Sequence, residues 1–148
     1  MMYLDVVGRV DETATARLLP LFADVVRAGF PSPADDYIEA NLDLVDHLVP
    51  HPSSTFYVRA KGDSMESDGI YDGDLLIVDR SLEPRDGDVL IIALDGELTC
   101  KRLGTIGQRP YLLPGSPNYR PIPLTGVECH VWGIVTHNVH ALRRGVGR

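Results

Sequence analysis

From Thr55 onward, apolar and polar positions alternate in short runs, and those runs predict strands. Thr55–Arg59, Leu75–Asp79, Asp88–Leu94, Glu97–Leu103, Tyr111–Leu113 and Val131–His140 are each rich in β-branched, aromatic or leucine residues. Gly, Pro and Asp clusters separate them. Asp95-Gly96 joins two of the runs across two residues, a strong hairpin signal because both residue types tolerate positive φ. The expected fold is mainly β, a compact antiparallel β domain with an extended N-terminal arm.

The chain before Thr55 reads differently. Leu18, Leu19, Leu21, Phe22, Val25 and Val26 form a partly helical apolar pattern that Thr13 would cap, although Pro20 interrupts a regular helix. Arg27 to Asp36 holds one glycine and two prolines and predicts an exposed extended linker. Tyr37 to Val49 reads as a short helix or loop with Leu42, Leu44, Val45 and Leu48 turned inward. A division near Gly29 follows, with an arm at 1–28 and a β-rich domain at 29–148.

Composition narrows the function. The 148 residues carry a net charge of -7, which argues against a surface built to neutralise phosphates and against direct sequence-specific DNA binding. Cys100 and Cys129 are too few for a disulfide scaffold and are expected to be reduced core thiols. Asp5, Arg9, Asp11 and Glu12 interrupt the only hydrophobic stretch near the N-terminus. No signal peptide or membrane anchor is expected, and the protein reads as cytoplasmic.

The candidate chemistry lies in Ala60-Lys61-Gly62-Asp63-Ser64-Met65, where a serine sits on a tight turn ahead of a buried strand. A serine hydroxyl is a weak nucleophile until a base takes its proton. The chain has twelve arginines but only two lysines, Lys61 and Lys101, and arginine cannot serve as that base. A lysine serves only when neutral. Its ordinary pKa of about 10.4 must fall by roughly three, about 4 kcal/mol, which desolvation can supply. Lys101 suits this, since it lies in a predicted strand with Leu98, Cys100 and Leu103 nearby, and alternation puts it on one face with Thr99. Lys61 lies beside the turn and is expected to be solvated. The backbone N–H groups of Ser64 and Met65 are candidates for an oxyanion hole, and Asp63 reads as a turn residue without catalytic duty.

Plainer readings exist for each motif. Serines on such turns commonly satisfy turn hydrogen bonds, and strand lysines commonly protect sheet edges. His47, His51, His130, His137 and His140 raise a Ser-His alternative, but none stands in a recognisable catalytic setting. His137 and His140 are three apart in a strand and face opposite sides, so no metal site or cofactor is expected.

Taken together, Gly29-Phe30-Pro31-Ser32-Pro33-Ala34-Asp35-Asp36-Tyr37, Gly62-Asp63-Ser64-Met65, Asp72 to Asp79 and Asp95 to Lys101 resemble the UmuD/LexA family of self-cleaving Ser/Lys peptidases. The likeness runs in order from about Phe22 to about Leu142. It implies that Ser64 is the nucleophile, that Lys101 is the general base, and that the chain cuts its own Ala28-Gly29 bond. Ala28 stands where UmuD often has cysteine. The resemblance further implies a homodimer, stimulation by a RecA–single-stranded DNA filament in the SOS response, and a truncated form that joins a UmuC-type error-prone translesion polymerase to give polymerase V. Met1 to Asp11 carries little of the resemblance.

Other readings share parts of this pattern. A repressor would need a helix-turn-helix domain of roughly 60 or more residues before the cleavage site, where 28 stand here. A signal peptidase would need a membrane segment. A non-catalytic dimeric β module that binds a polymerase would need neither Ser64 nor Lys101.

Overall fold

Alternation of side chains across a strand lets one sheet serve two apolar clusters, and the strand Val89–Leu94 does so. In the computed structural model, which describes residues 2–10, 12–13, 18–22 and 38–145, Ile91 packs into one cluster while Leu90 and Ile92 pack into the other. The chain divides into two compact units, 1–10 with 51–148, and 11–50.

The larger unit is an eight-stranded antiparallel sheet in the order β1-β4-β5-β10-β6-β7-β8-β9. Its strands are β1 (Met2–Arg9), β4 (Thr55–Gly62), β5 (Leu75–Asp79), β6 (Val89–Leu94), β7 (Glu97–Ile106), β8 (Arg109–Leu113), β9 (Ile122–Pro123) and β10 (Cys129–Val139). The sheet curls far enough that β1, at one end of the order, also lies against β7. The mainly β, antiparallel fold expected from the sequence is the fold observed.

The hairpin between β6 and β7 turns on Asp95 at φ 48° and Gly96 at φ 85°. Both central residues take positive φ, the primed-turn geometry that suits the twist of paired strands. β6 and β7 then pair from Leu94 opposite Glu97 to Val89 opposite Arg102. This register sets Cys100 opposite Ile91 and Lys101 opposite Leu90, on alternate faces of the strand.

The larger cluster gathers Met2, Val58, Ala60, Met65, Ile70, Leu76, Val78, Ile91 and Cys100. Met2 belongs to it through β1, a strand the sequence reading left out, which pairs with β4. Fully burying side chains of this size stabilises a fold by roughly 1.5–3 kcal/mol each.

The smaller unit corrects three expectations. Leu18 to Phe22, read as part of a helical pattern, forms β2 (Leu18–Phe22), which pairs with β3 (Ile38–Asp43), a strand where a short helix or loop was expected. A short helix, α1 (Leu44–Leu48), follows, and the Asp43 side chain accepts from the N–H of Val45 and Asp46 as its cap. Leu44 and Val45, expected to turn inward, are exposed on this single helical turn. The expected linker at Arg27 to Asp36 and the bond between Ala28 and Gly29 lie outside the described residues.

One cysteine expectation also fails. Cys100 is fully buried, whereas Cys129 is exposed. Cys129 opens β10 opposite Leu94, the last residue of β6 before the hairpin turn.

Candidate active site

Ser64 follows the end of β4, on the turn that carries the chain into a single 3-10 turn at Glu66–Asp68. The turn is closed by backbone bonds from Glu66 N–H to Asp63 C=O and from both Asp68 and Ile70 N–H to Met65 C=O. Among the described residues, no backbone bond of this turn uses the N–H of Ser64 or Met65, the groups proposed for an oxyanion hole.

Ser64 and Met65 are both fully buried. Among the described residues, the Ser64 Oγ has no hydrogen-bond partner, Lys101 Nζ included. A buried hydroxyl without a partner costs about 1–3 kcal/mol, so its retention calls for an explanation. A reactive group awaiting substrate is one, since catalytic hydrogen bonds often tighten only when substrate is bound.

Lys101 sits in the interior stretch of β7 and is 9% exposed. Burial lowers its pKa from the ordinary lysine value, against a smaller opposing effect of the Cys100 thiol. Its Nζ lies 5.4 Å from the centroid of the Tyr119 ring, a cation–π distance. Lys101 and Tyr119 line a cleft of about 680 Å³ that runs between β1, from Met2 to Asp5, and β7, from Glu97 to Thr99. Lys61, by contrast, is exposed and forms an ion pair with Asp5 at 2.8 Å, the solvated lysine the sequence led us to expect.

The serine turn and the lysine strand are tied together on both sides of Lys101. Cys100 packs in the same apolar cluster as Met65. Arg102 Nε donates to Asp68 Oδ1 at 2.6 Å, and the Arg102 guanidinium also reaches the carbonyl of Gly87. A third tie comes from the loop after β8, where the Gly115 carbonyl accepts from Ser67 N–H at 2.7 Å. A Cβ at position 115 would stand 2.5 Å from Met65 Cα and 2.5 Å from Asp68 Oδ2, so only glycine fits. The sequence reading missed Asp68, Arg102, Gly115 and Tyr119. Pro114-Gly115 signals a turn, but nothing in the chain tells that the turn rests on Met65.

Two of the histidines are engaged with buried aspartates. His51 Nδ1 meets Asp79 Oδ2 at 2.6 Å, and His140 Nδ1 meets Asp74 Oδ1. The Asp79 carboxyl is raised by burial, but hydrogen bonds from Ser81 and His51 outweigh this and hold it below its ordinary value. Among the described residues, no group of three or more His, Cys, Asp or Glu side chains could hold a metal ion, and no helix is long and apolar enough to cross a membrane.

A family model described as Peptidase S24-like matches residues 20–136. The chain is 47% identical over 126 residues to Protein ImpA of Salmonella typhimurium, covering 84% of this chain and 85% of that protein. It is 38% identical over 123 residues to Protein MucA of Escherichia coli, covering 82% and 84%. Against the LexA repressor of Aeromonas salmonicida it is 40% identical over 104 residues, 70% of this chain but 49% of the repressor. The matched stretch holds both the serine turn and the lysine strand, and the chain belongs to the Peptidase S24-like family.

Proposed function

We propose that this protein is a self-cleaving serine peptidase in which Ser64 is the nucleophile and Lys101 the general base, acting on the Ala28–Gly29 bond. The observation that carries the proposal is a buried Ser64 hydroxyl without a hydrogen bond among the described residues, in a chain whose Lys101 is also buried and has its pKa lowered by that burial. Structural serines on turns hold hydrogen bonds, and structural lysines keep their charge in water.

The steps follow from these groups. The neutral Lys101 amine takes the Ser64 hydroxyl proton as Oγ attacks the Ala28 carbonyl carbon. The negative charge on the carbonyl oxygen is held by the N–H groups of Ser64 and Met65. The protonated amine then delivers its proton to the Gly29 nitrogen, the peptide bond breaks, and an ester joins Ser64 to Ala28. Water hydrolyses the ester by the same route, which severs the covalent link to residues 1–28 and restores the serine.

The proposed setting is the SOS response to DNA damage in the cytoplasm. Cleavage is stimulated by a RecA–single-stranded DNA filament, and the truncated homodimer serves as accessory subunit of a UmuC-type translesion polymerase. Similarity to ImpA and MucA supports this reading over a repressor, because the alignments span 85% and 84% of those proteins but only 49% of the LexA repressor.

The test is the intact mass of purified protein after incubation with RecA, nucleotide and single-stranded DNA. The expected result is loss of residues 1–28 from the wild type and an unchanged Ser64→Ala variant. Equal persistence of both, or equal cutting of both, would overturn the assignment.

A further inference from the structure

The first strand of the sheet comes from the part of the chain that the proposed cleavage severs. β1 pairs with β4 from Met2 opposite Gly62 to Arg9 opposite Phe56, with one bulge between Val6 and Gly8. Side chains fasten it along its length. Met2 is buried in the cluster that holds Ala60 and Met65, and Leu4 packs against the same cluster. Asp5 pairs with Lys61 at 2.8 Å. Arg9 Nη2 donates to the Ser53 carbonyl at 2.7 Å, and the guanidinium lies 5.5 Å from the Phe56 ring centroid.

Backbone pairing along a sheet edge, with alternate side chains seated in pockets, is how extended peptides bind by adding a strand. β1 has this form. Met2 and Leu4 face the core two residues apart, while Tyr3 and Val7 stay exposed, and β1 ends the strand order. The β4 edge therefore behaves as a groove already filled by a ligand that happens to be tethered.

We propose that the β4 edge is a peptide-docking groove whose occupant, once the chain is cut between Ala28 and Gly29, is the severed piece itself, residues 1–28, retained through β1. The setting rests on the cleavage reading above, although the pairing does not. Cutting then leaves β4 covered, and exposure of its edge is a second, separate event. A tether holds a strand at an effective concentration near millimolar, and cutting removes that advantage. After cleavage, occupancy of the groove depends on dilution and on competing extended peptides, including the first strand of a second copy.

The experiment uses the full chain carrying Ser64→Ala, with a recognition site for an added sequence-specific protease inserted between Ala28 and Gly29. The cut is thus made whether or not Ser64 is a nucleophile, and the outcome bears on the groove alone. At about 10 µM the severed piece should co-elute with the remainder on size exclusion and appear with it in native mass spectrometry. A fluorescent synthetic peptide of residues 1–12 should replace it. The same peptide with Met2→Asp and Leu4→Asp should need at least roughly tenfold more, because carboxylates would enter the apolar cluster. Changing only the peptide leaves the protein's folding untouched. Separate elution of the piece, or equal competition by the two peptides, would overturn the proposal. Unfolding of the remainder as the piece leaves would overturn it too, since β1 would then be an inseparable core strand.

Discussion

Arg102 and Asp68 join the lysine strand to the serine turn, Nε to Oδ1 at 2.6 Å, across 34 residues of chain. The pair stands one residue beyond Lys101 and four beyond Ser64. Its carboxylate is mostly buried and its guanidinium partly so, at 16% and 34% side-chain exposure. Charge-assisted bonds of this kind contribute about 1.5–3 kcal/mol, so Arg102→Met should lower stability by about 1–2 kcal/mol in urea unfolding once exposure is discounted. It should also slow self-cleavage while leaving its pH profile in place, because the pair positions the two segments without touching the reacting atoms. An unchanged cleavage rate would show that the serine turn holds its place without the brace.

The two lysines should separate cleanly. Lys101→Arg keeps a positive charge but removes the proposed base, and self-cleavage should fall by at least about a hundredfold, the usual contribution of a positioned general base. Lys61→Arg keeps the surface pair with Asp5, worth at most about 1 kcal/mol, and should cleave at the wild-type rate. Intact-mass time courses of both variants make the comparison. Comparable loss in both would mean that positive charge near the turn, rather than proton transfer at position 101, is what matters.

The sheet was legible because its signals are local. Asp95-Gly96 can form only a few turns, and the strand runs flanking it have lengths and alternation that no helix shares. Ser64 and Lys101 stood out because the chain has so few lysines. The brace was not legible, since nothing in Asp68 or Arg102 records that they meet. β1 was missed for a related reason: Asp5 and Arg9 make Met2 to Arg9 look like a polar terminus until β4 supplies its partner. Leu18 to Phe22 is short enough for helix and strand patterns to coincide. Pro20 was the clue, because it removes a helix bond yet sits tolerably in a two-stranded ribbon, where Asn41 is its Cα partner.

The pH dependence of cleavage follows from the buried amine. Lys101 has a folded pKa below its unfolded value, with burial as the principal cause. Below the folded pKa the base is protonated, so the rate should rise roughly tenfold per pH unit and level off once that pKa is passed. Stability moves in the same direction. Folding releases a proton from Lys101 between its folded and unfolded pKa values, so stability rises with pH through that window, and the cost of the buried charge is full below it. Lys101→Met should therefore be more stable than the wild type at neutral pH, with the difference shrinking toward pH 10.5, the ordinary lysine value. Cleavage measured from about pH 7 to about pH 10 should trace the rise. A flat profile would remove the lysine from the mechanism.

The two thiols offer a probe of the packing behind the lysine. Burial pushes the Cys100 thiol up to about 12, with the Lys101 charge opposing and too weak to offset it, while Cys129 is exposed. The thiolate is the reactive form, so iodoacetamide at neutral pH should modify Cys129 and spare Cys100 in the native protein. Both should react in denaturant. Cys100 shares its cluster with Met2 and Met65, so its modification reports opening of the layer that carries the serine turn. Met2→Asp, which places a carboxylate in that cluster, should speed Cys100 modification at least about tenfold and leave Cys129 unchanged, as peptide mapping by mass spectrometry would resolve. Equal native reactivity of the two thiols would contradict the packing of β7 against the β1 and β4 strands.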